Sequence, residues 1–514
     1  MHSATSESAR TRRAGSRALA SIRDSDFGHD QARHLLWRAG FGGSPEQVQT
    51  LAAWGPERAV DFLLDTDKIP TDPVKADRFD KDIMRPPTPA ERRDYRQALQ
   101  RRDEDAVAKF RLRRQEAQRA DRRQMRQIQQ WWLTRMIETP RPLEEKMTLF
   151  WHGHFATSYR TIENSYHMFV QNQLFRKHAL GNFANLLFRI IRDPAMLAYL
   201  DNNDSRKGKP NENLARELME LFSLGVGNYT EQDIKEGARA LTGYTFEDDQ
   251  FVFVANNHDD GEKHILGRSG RLDGDGFVTA ILERRACARF ITRKLYEFFV
   301  AKLPTDPGDA DRPTRDALHE LSSAFLRRRY EVKPVLRRLF LSEHFYRPEI
   351  INQQIKSPAQ LAVGTLRSLG TPVRDLSIIL DAMDLMGQSI FFPPSVKGWD
   401  GGRSWINTST LFVRQNTMAF LLTGKKPHGY DALADQEKYD PTPLLSALAS
   451  ADPGAERDPA RVVDFLLRFT IGSAPDHAAS TLRQFVANNG GRIRPDVVTG
   501  LLLLITAMPE YQLC

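Results

Sequence analysis

The sequence has 514 residues, of which 40% are hydrophobic and 27% charged, the composition of a globular protein with one large core or several smaller ones. Lysine and arginine number 73 against 66 aspartates and glutamates, and the resulting net charge of +7 is too modest for this length to indicate nucleic-acid binding. Only two cysteines occur, Cys287 and Cys514, which excludes a disulfide framework and a cysteine-ligated zinc site.

The N-terminal segment, residues 1–28, is predicted to be a disordered, basic lead-in. Its arginines are not followed by the apolar stretch of a signal peptide, so the sequence as written predicts a cytoplasmic protein. Regular structure is expected from Asp30, with a first helix ended by Gly40 and a second helix capped by Ser44 and opened by Pro45.

Residues 70–130 are predicted to be a proline-marked linker followed by a long charged helix that starts near Ala90. Its basic runs, such as the one at residues 111–114, could contact phosphates. The interleaved acids favour a salt-bridged helical face instead, so nucleic acid is not an expected partner.

The triplet His152-Gly153-His154 is the most chemically suggestive stretch, because it places two imidazoles inside an apolar and aromatic segment. A glycine between them would let both rings point into one cavity, where they could bind a divalent metal or carry protons. The alternative is that both are half-buried histidines bonded to backbone groups. The flanking aromatic residues Phe150 and Trp151 suit a core or a pocket wall equally.

A predicted helix that begins near residues 211–213 and ends at Gly225 carries the second group of candidates. At ~100° per residue, Asn213, Glu217 and Glu220 fall within about 60° of one another, beside an apolar stripe, as acids facing a cavity would. Alternatively, the two glutamates are structural ion-pair partners of Arg216, Lys235 or Arg239.

The remaining helical patterns predict an all-α fold, with a large multi-helix body over residues 29–425. One small β-hairpin insertion is expected within residues 244–276, pairing the segment near Phe251 with the one near Ile265. His258 and Asp259 lie between these segments and could join the site, although an exposed turn suits them better.

Residues 386–408 form the third candidate segment, because two prolines and four glycines exclude a regular helix there. The segment offers stacking faces and polar groups suited to a polar or carbohydrate-like substrate, so it is predicted to roof a pocket; a rigid structural loop is the alternative. The candidate substrate-binding residues are Lys397, Trp399, Arg403, Trp405 and Asn407, together with Asn213 from the preceding helix.

The C-terminal residues 426–514 are predicted to be a helical subregion packed on the main body. Its apolar run at 497–508 is too short to cross a bilayer and predicts a buried helix, so no membrane span is expected.

Four long segments carry a resemblance to a known family. They are His34–Gly42, Lys146–Phe155, Asn211–Phe222 and Pro393–Trp399. Together they resemble the bacterial family called domain of unknown function 1800, over nearly the whole chain. The resemblance implies no reaction, but genes of the family often lie beside those of a sulfatase-like family, which implies a sulfatase-like protein as a partner. Many members are exported, whereas this sequence shows no signal sequence, which argues against extracellular polymers as substrates.

These observations support two hypotheses. In the first, the protein is a hydrolase-like enzyme that acts on a polar or carbohydrate-like substrate, with or without the assistance of a bound metal. The pocket would combine His152 and His154, as metal ligands or proton carriers, with Glu217 and Glu220, as ligand and general base. In the second, the same residues form a buried polar network in a non-catalytic scaffold or binding protein that works with a sulfatase-like partner.

Overall fold

The computed structural model describes residues 18–66, 79–425, 439–472 and 475–514. Within these ranges the chain is a succession of α-helices interrupted by two short strand pairs. The helices before the strands are α1 (His29–Ala39), α2 (Pro45–Trp54), α3 (Pro56–Leu64), α4 (Pro89–Arg101), α5 (Glu104–Glu138), α6 (Pro142–His154), α7 (Tyr159–Ile162), α8 (Ser165–Lys177), α9 (Phe183–Ile190), α10 (Pro194–Tyr199), α11 (Asn213–Glu220) and α12 (Glu231–Ala240).

The strands are β1 (Tyr244–Glu247), β2 (Gln250–Phe253), β3 (Lys263–Ile265) and β4 (Arg268–Gly270). The later helices are α13 (Gly274–Leu282), α14 (Arg285–Phe299), α15 (Arg312–Arg327), α16 (Val332–Phe340), α17 (Pro358–Leu369), α18 (Leu376–Leu385), α19 (Thr408–Thr423), α20 (Thr442–Ala451), α21 (Pro459–Ile471), α22 (Asp476–Asn488) and α23 (Pro495–Thr506). The predicted all-α class with a small β insertion is confirmed.

The β insertion differs from the prediction in its pairing, because it contains two hairpins rather than one. Strand β1 pairs with β2, placing Tyr244 opposite Phe253, and β3 pairs with β4. The second hairpin turns through Leu266 and Gly267, which both have positive φ (52° and 85°), as a two-residue primed turn requires. This tight turn pairs Ile265 with Arg268. The segment near Phe251 therefore pairs with β1 and not with the segment near Ile265.

Many helices begin where the sequence places a short polar side chain before a proline. In α2, for example, the Ser44 hydroxyl accepts a hydrogen bond from the Gln47 N–H, and Pro45 opens the first turn with no unsatisfied donor. The same pairing of cap and proline opens α4, α10, α15, α17 and α21.

Order begins earlier than predicted at the N-terminus. Residues 1–17 lie outside the described ranges, but from residue 18 the segment predicted to be disordered packs on the body. Leu19, Ile22 and Phe27 are buried, and Ser21 forms a β-bridge with Ser342. Their apolar side chains supply the contacts that a solvated lead-in lacks.

The predicted long charged helix is two helices, α4 and α5, that pack together as a hairpin. The break falls at Arg102, whose φ of 55° is left-handed, and Asp103 then caps α5 by accepting from the Ala106 N–H. The hairpin is held by apolar contacts, since the rings of Tyr95 and Phe110 lie 5.3 Å apart, centroid to centroid.

The salt-bridged face predicted for the helix over residues 90–130 does not form along the described chain; Arg126 pairs instead with Asp381 of α18. Residues 89–123 contain twelve Lys and Arg against seven Asp and Glu. In the described chain, none of those twelve cations has an ion-pair partner; the one ion pair of the segment joins Glu91 to Arg85, which precedes α4. The region therefore presents unpaired guanidinium groups to solvent.

The buried side chains form a continuous hydrophobic core from Leu19 to Tyr511. Helix α23 contributes Val498, Leu501 and Ile505 to it and packs on α19, so the C-terminal helices share the core of the main body. In the described ranges no helix is long and apolar enough to span a membrane.

A buried ion cluster joins α5, α6 and α8 at the centre of the core. The Glu145 carboxylate accepts from Arg135 Nε at 3.0 Å, from Arg176 Nε and Nη2 at 2.6 and 2.9 Å, and from Trp132 Nε1 at 2.9 Å. Burial by itself would raise the pKa of Glu145, but the two guanidiniums hold it at about 2. The cluster fixes the helix that carries the His-Gly-His triplet.

Candidate functional site

The His-Gly-His triplet forms the last turn of helix α6. Gly153 is not among the residues with positive φ, so the glycine introduces no special backbone conformation. Residues two positions apart on a helix point roughly 200° apart, and His152 and His154 consequently face opposite sides of α6. The expectation that the glycine turns both rings into one cavity is therefore wrong.

His152 is fully buried among aromatic rings. Its ring centroid lies 5.4 Å from that of Trp132, 5.3 Å from Phe391 and 5.6 Å from Trp399. Its Nε2 accepts a hydrogen bond from the Phe391 N–H at 3.0 Å, so the ring is neutral with its proton on Nδ1. Burial lowers the pKa of His152 to about 3, which keeps it an acceptor near pH 7.

His154 lies on the other side of α6 and anchors the segment after α11. Its Nε2 donates to the Phe222 carbonyl oxygen at 3.0 Å. Burial, followed by the positive charge of Lys294, lowers the pKa of His154 to about 3. The triplet thus ties α11 to one side of α6 and the 386–408 loop to the other.

This geometry favours the alternative interpretation of the triplet, two histidines bonded to backbone groups. Within the described ranges there is no group of three or more His, Cys, Asp or Glu side chains that could hold a metal ion. A proton carrier near pH 7 needs a pKa close to 7, and burial moves both rings well below that value.

The 386–408 loop packs directly on the triplet, as the predicted roof requires. A Cβ on Gly153 would lie 3.6 Å from Cε3 of the Trp399 ring, so the indole rests against the glycine. Gly398 has a φ of 80°, and a Cβ there would collide with the Gly153 carbonyl oxygen. Two of the segments that carry the family resemblance therefore interlock through their glycines.

Phe391 is held in an unusual backbone conformation at this junction. Its φ is 69°, a left-handed value that bulky side chains rarely adopt. Its N–H donates to His152 Nε2, and its carbonyl oxygen accepts from the Tyr159 N–H at 3.0 Å. These two bonds hold the strained residue and connect the loop to the start of α7.

The predicted substrate-binding side chains of the loop do not converge. Trp405 is buried, and Asn407 caps α19 by accepting from the Thr410 N–H at 2.9 Å. Lys397 is exposed and forms an ion pair with Asp400. Arg403 is also exposed, so Trp399 alone of this set contacts the triplet.

Lys294 of α14 is a charged group near the triplet that the sequence patterns did not single out. It is half-buried, its Nζ lies 5.5 Å from the Phe290 ring centroid, and that ring is 6.3 Å from His154. Burial lowers the pKa of Lys294, while Glu297 opposes this effect and Lys397 adds to it. Lys294 lies at the edge of the buried face of the amphipathic helix α14. That position beside an apolar face is the sequence signal that could have found it.

The predicted acids Glu217 and Glu220 lie close together on α11, both half-buried. Glu220 Oε2 accepts from the Tyr229 hydroxyl at 2.5 Å. Within the described chain the Glu217 carboxyl group has no hydrogen bond or ion pair, and burial followed by the charge of Glu220 raises its pKa. No hydrogen bond joins either acid to His152 or His154 among the described residues, so the four predicted residues do not form one pocket.

Two of the three alternative ion-pair partners named for these acids are engaged elsewhere, and the third, Lys235, has no ion pair in the described chain. Arg216 forms a two-pronged pair with Glu231, with N···O distances of 2.8 and 3.0 Å. Arg239 pairs with Asp259 and Glu236. Asn213 is exposed at the start of α11.

His258 and Asp259 support the β insertion rather than the triplet. The His258 Nδ1 is 2.8 Å from the Thr242 carbonyl oxygen, and Asp259 binds Arg239 across the base of the insertion. The interpretation of this segment as a turn outside the site agrees with these contacts.

A groove of about 210 Å³ opens beside the loop, on the side of Tyr159. This Tyr159 groove is lined by Gln118, Asp121, Arg122, Tyr159, Arg160, Glu163 and Phe392. The Tyr159 hydroxyl donates to Asp121 Oδ2 at 2.7 Å, and the Phe392 ring meets Tyr159 edge-on with centroids 5.4 Å apart. Gln118, Asp121 and Arg122 belong to the predicted charged helix and Phe392 to the predicted loop, whereas nothing in the sequence indicated that Tyr159, Arg160 and Glu163 would join them.

A family model described as a protein of unknown function (DUF1800) matches residues 34–513. The chain belongs to this family. No curated protein and no solved structure matches it. The family description assigns no activity.

Proposed function

We propose that the protein binds a polar, carbohydrate-like molecule in the Tyr159 groove. The observation that carries the proposal is the composition of the groove wall, which combines two aromatic side chains with amide, carboxylate and guanidinium groups. The half-buried Phe392 ring suits the C–H surface of a sugar ring, and the polar groups suit its hydroxyls. At about 210 Å³ the groove is smaller than a drug-sized site, so it accommodates only part of a longer ligand.

The electrostatics of the groove support the same proposal. Arg122 and Arg160 are exposed, and neither has an ion-pair partner in the described part of the chain. Asp121, by contrast, is buried and accepts from Tyr159 and from the Ser165 N–H and hydroxyl. Asp121 therefore shapes the wall, while the two arginines and Glu163 are left to contact a ligand.

The test is a binding screen of di- and tetrasaccharides against the full chain by calorimetry or ligand-observed NMR. At least one sugar should bind with a Kd below about 1 mM, and Arg160→Gln should weaken it by several-fold because one charged hydrogen bond is lost. Arg189→Gln, an exposed arginine on α9, is the matched control and should bind as the wild type does. Absence of binding by every sugar, or equal loss in both variants, would overturn the proposal.

A second candidate function, hydrolysis, is favoured by Glu217. A carboxyl with a raised pKa and no partner in the described chain suits a general acid, and the adjacent Glu220 suits a base. In a screen of oligosaccharide hydrolysis, Glu217→Gln should reduce the rate by about 100-fold or more. Glu231→Gln, an exposed acid that pairs with Arg216, is the control.

A wild-type protein that hydrolyses none of these sugars would argue against the hydrolase candidate and leave the binding proposal in place. The sulfatase-like partner stays a prediction of the family resemblance, to be tested by co-purification.

A further inference from the structure

One face of helix α5 carries a row of arginines that leads into the Tyr159 groove. Arg111, Arg114, Gln118 and Arg122 follow the spacing i, i+3, i+7 and i+11, which places them along one side of a helix. Gln118 and Arg122 line the groove. From Arg111 to Arg122 the row, here called the arginine stripe, extends about 16 Å at 1.5 Å per residue.

The positive charge of the stripe is not neutralised within the described chain. Its three arginines are exposed, and none has an ion-pair partner among the described residues. Few acids lie near it. Glu104 shares its face but lies about 10 Å before Arg111, Glu116 lies about 140° around the helix, and the buried Asp121 accepts from Tyr159 and Ser165. Glu163 lines the groove together with Arg122 and Arg160, without an ion pair in the described chain. The Arg122 end of the stripe lies at the Tyr159 groove, which Arg160 also lines.

An extended row of unpaired guanidiniums that ends in a groove suits a ligand with regularly spaced anionic groups. We infer that the ligand of the Tyr159 groove is an acidic oligosaccharide, bound by one end in the groove and by its carboxylate or sulfate groups along the arginine stripe. This inference rests on the proposed sugar-binding function and adds the charge and length of the ligand.

Nucleic acid fits the same surface less well. Single-stranded nucleic acid is held largely by stacking of bases on exposed aromatic rings. The Tyr159 ring is 7% exposed and its hydroxyl is bound to Asp121, so the half-buried Phe392 is the one ring that lines the groove and is open to stacking, too few for a strand of successive bases. The expectation that extracellular polymers are not substrates came from the N-terminal sequence alone. The arginine stripe is a feature of the folded surface and does not depend on that segment.

The experiment compares galacturonic acid oligomers of two and ten units with a neutral ten-unit glucose oligomer, using the full chain at fixed ionic strength. The double variant Arg111→Gln/Arg114→Gln should weaken binding of the acidic decamer by about tenfold, because two exposed charge pairs with the ligand are lost. The same variant should leave binding of the acidic dimer unchanged, because the dimer reaches only the groove. Arg122→Gln, at the junction, should weaken both acidic ligands.

The matched control is Lys109→Gln/Arg113→Gln, which removes the same charge from the opposite face of α5. Both residues are exposed, and they lie about 160° and 200° around the helix from Arg111. Equal loss of decamer binding in the stripe and control variants would overturn the inference, since it would reflect net charge alone. So would equal affinity of the wild type for the neutral and acidic decamers.

Two further outcomes separate the inference from the function on which it rests. If neutral and acidic dimers bind the groove but the decamer gains nothing from the stripe, the proposed function stands and the inference fails. If no sugar binds and a duplex DNA of similar length binds in a stripe-dependent way, both fail and the surface is a nucleic-acid site.

Discussion

Two glutamates on two helices of this protein show opposite environments. Glu145 is fully buried and shared by Arg135 and Arg176, which hold its pKa at about 2. Glu217 is half-buried, its carboxyl group has no hydrogen bond or ion pair in the described chain, and its pKa is raised. A buried acid surrounded by cations stabilises a core, whereas an acid kept near a like charge is available for chemistry.

The largest effect is expected from removing the buried charge. Glu145→Gln should lower the free energy of unfolding by about 3–5 kcal/mol, because it leaves two guanidiniums buried without their carboxylate. Chemical denaturation at pH 7 measures the loss. The matched control is Glu231→Gln, which breaks an equally two-pronged but exposed pair with Arg216 and should leave unfolding unchanged.

The same variant has a defined pH dependence. The folded pKa of Glu145, about 2, lies below its ordinary value of 4.5, so the carboxylate stabilises the fold above pH 4.5 and this contribution is lost as pH falls through about 2. The difference between wild type and Glu145→Gln should therefore shrink over that range. A difference that stays constant down to pH 2 would show that the carboxylate is not the stabilising group.

The next largest effect on stability concerns the contact that holds the 386–408 loop on α6. Gly398→Ala should cost about 2–4 kcal/mol, combining a strained left-handed backbone with a collision against Gly153. Gly208→Ala is the control, because Gly208 has nearly the same φ, 81°, but open space around it. A smaller loss at Gly398 than at Gly208 would contradict the interlock.

Gly153 itself should accept a side chain. It is helical, and a Cβ would make an ordinary contact with Trp399 at 3.6 Å. Gly153→Ala should therefore leave stability unchanged or raise it by up to about 1 kcal/mol, the helical preference of alanine over glycine. A large loss in thermal melting would mean that the glycine serves a conformation other than the helical one.

The sequence predicts the helical class, the irregular 386–408 loop and the segments that meet at the triplet, because these depend on local spacing, caps, prolines and glycines. It does not predict where the histidines point, since His152 is fixed by the Phe391 N–H, 239 residues away in the chain. Nor does it predict that Glu145 pairs with Arg176, or that Tyr159 and Phe392 form a groove wall. Those contacts join residues whose separation leaves no periodic signal.

The smallest effect on the free energy of unfolding is expected at Glu217. Because burial and the charge of Glu220 raise its folded pKa above the ordinary value, ionised Glu217 slightly destabilises the fold above about pH 4.5. Glu217→Gln should therefore change the free energy of unfolding by less than about 0.5 kcal/mol at pH 7, in the stabilising direction, and the gain should vanish near pH 4. Glu220→Gln loses its bond from the Tyr229 hydroxyl and should cost about 1 kcal/mol. A loss of several kcal/mol at Glu217 itself would show that it pairs with a cation in solution, and it would remove the observation that favours hydrolysis.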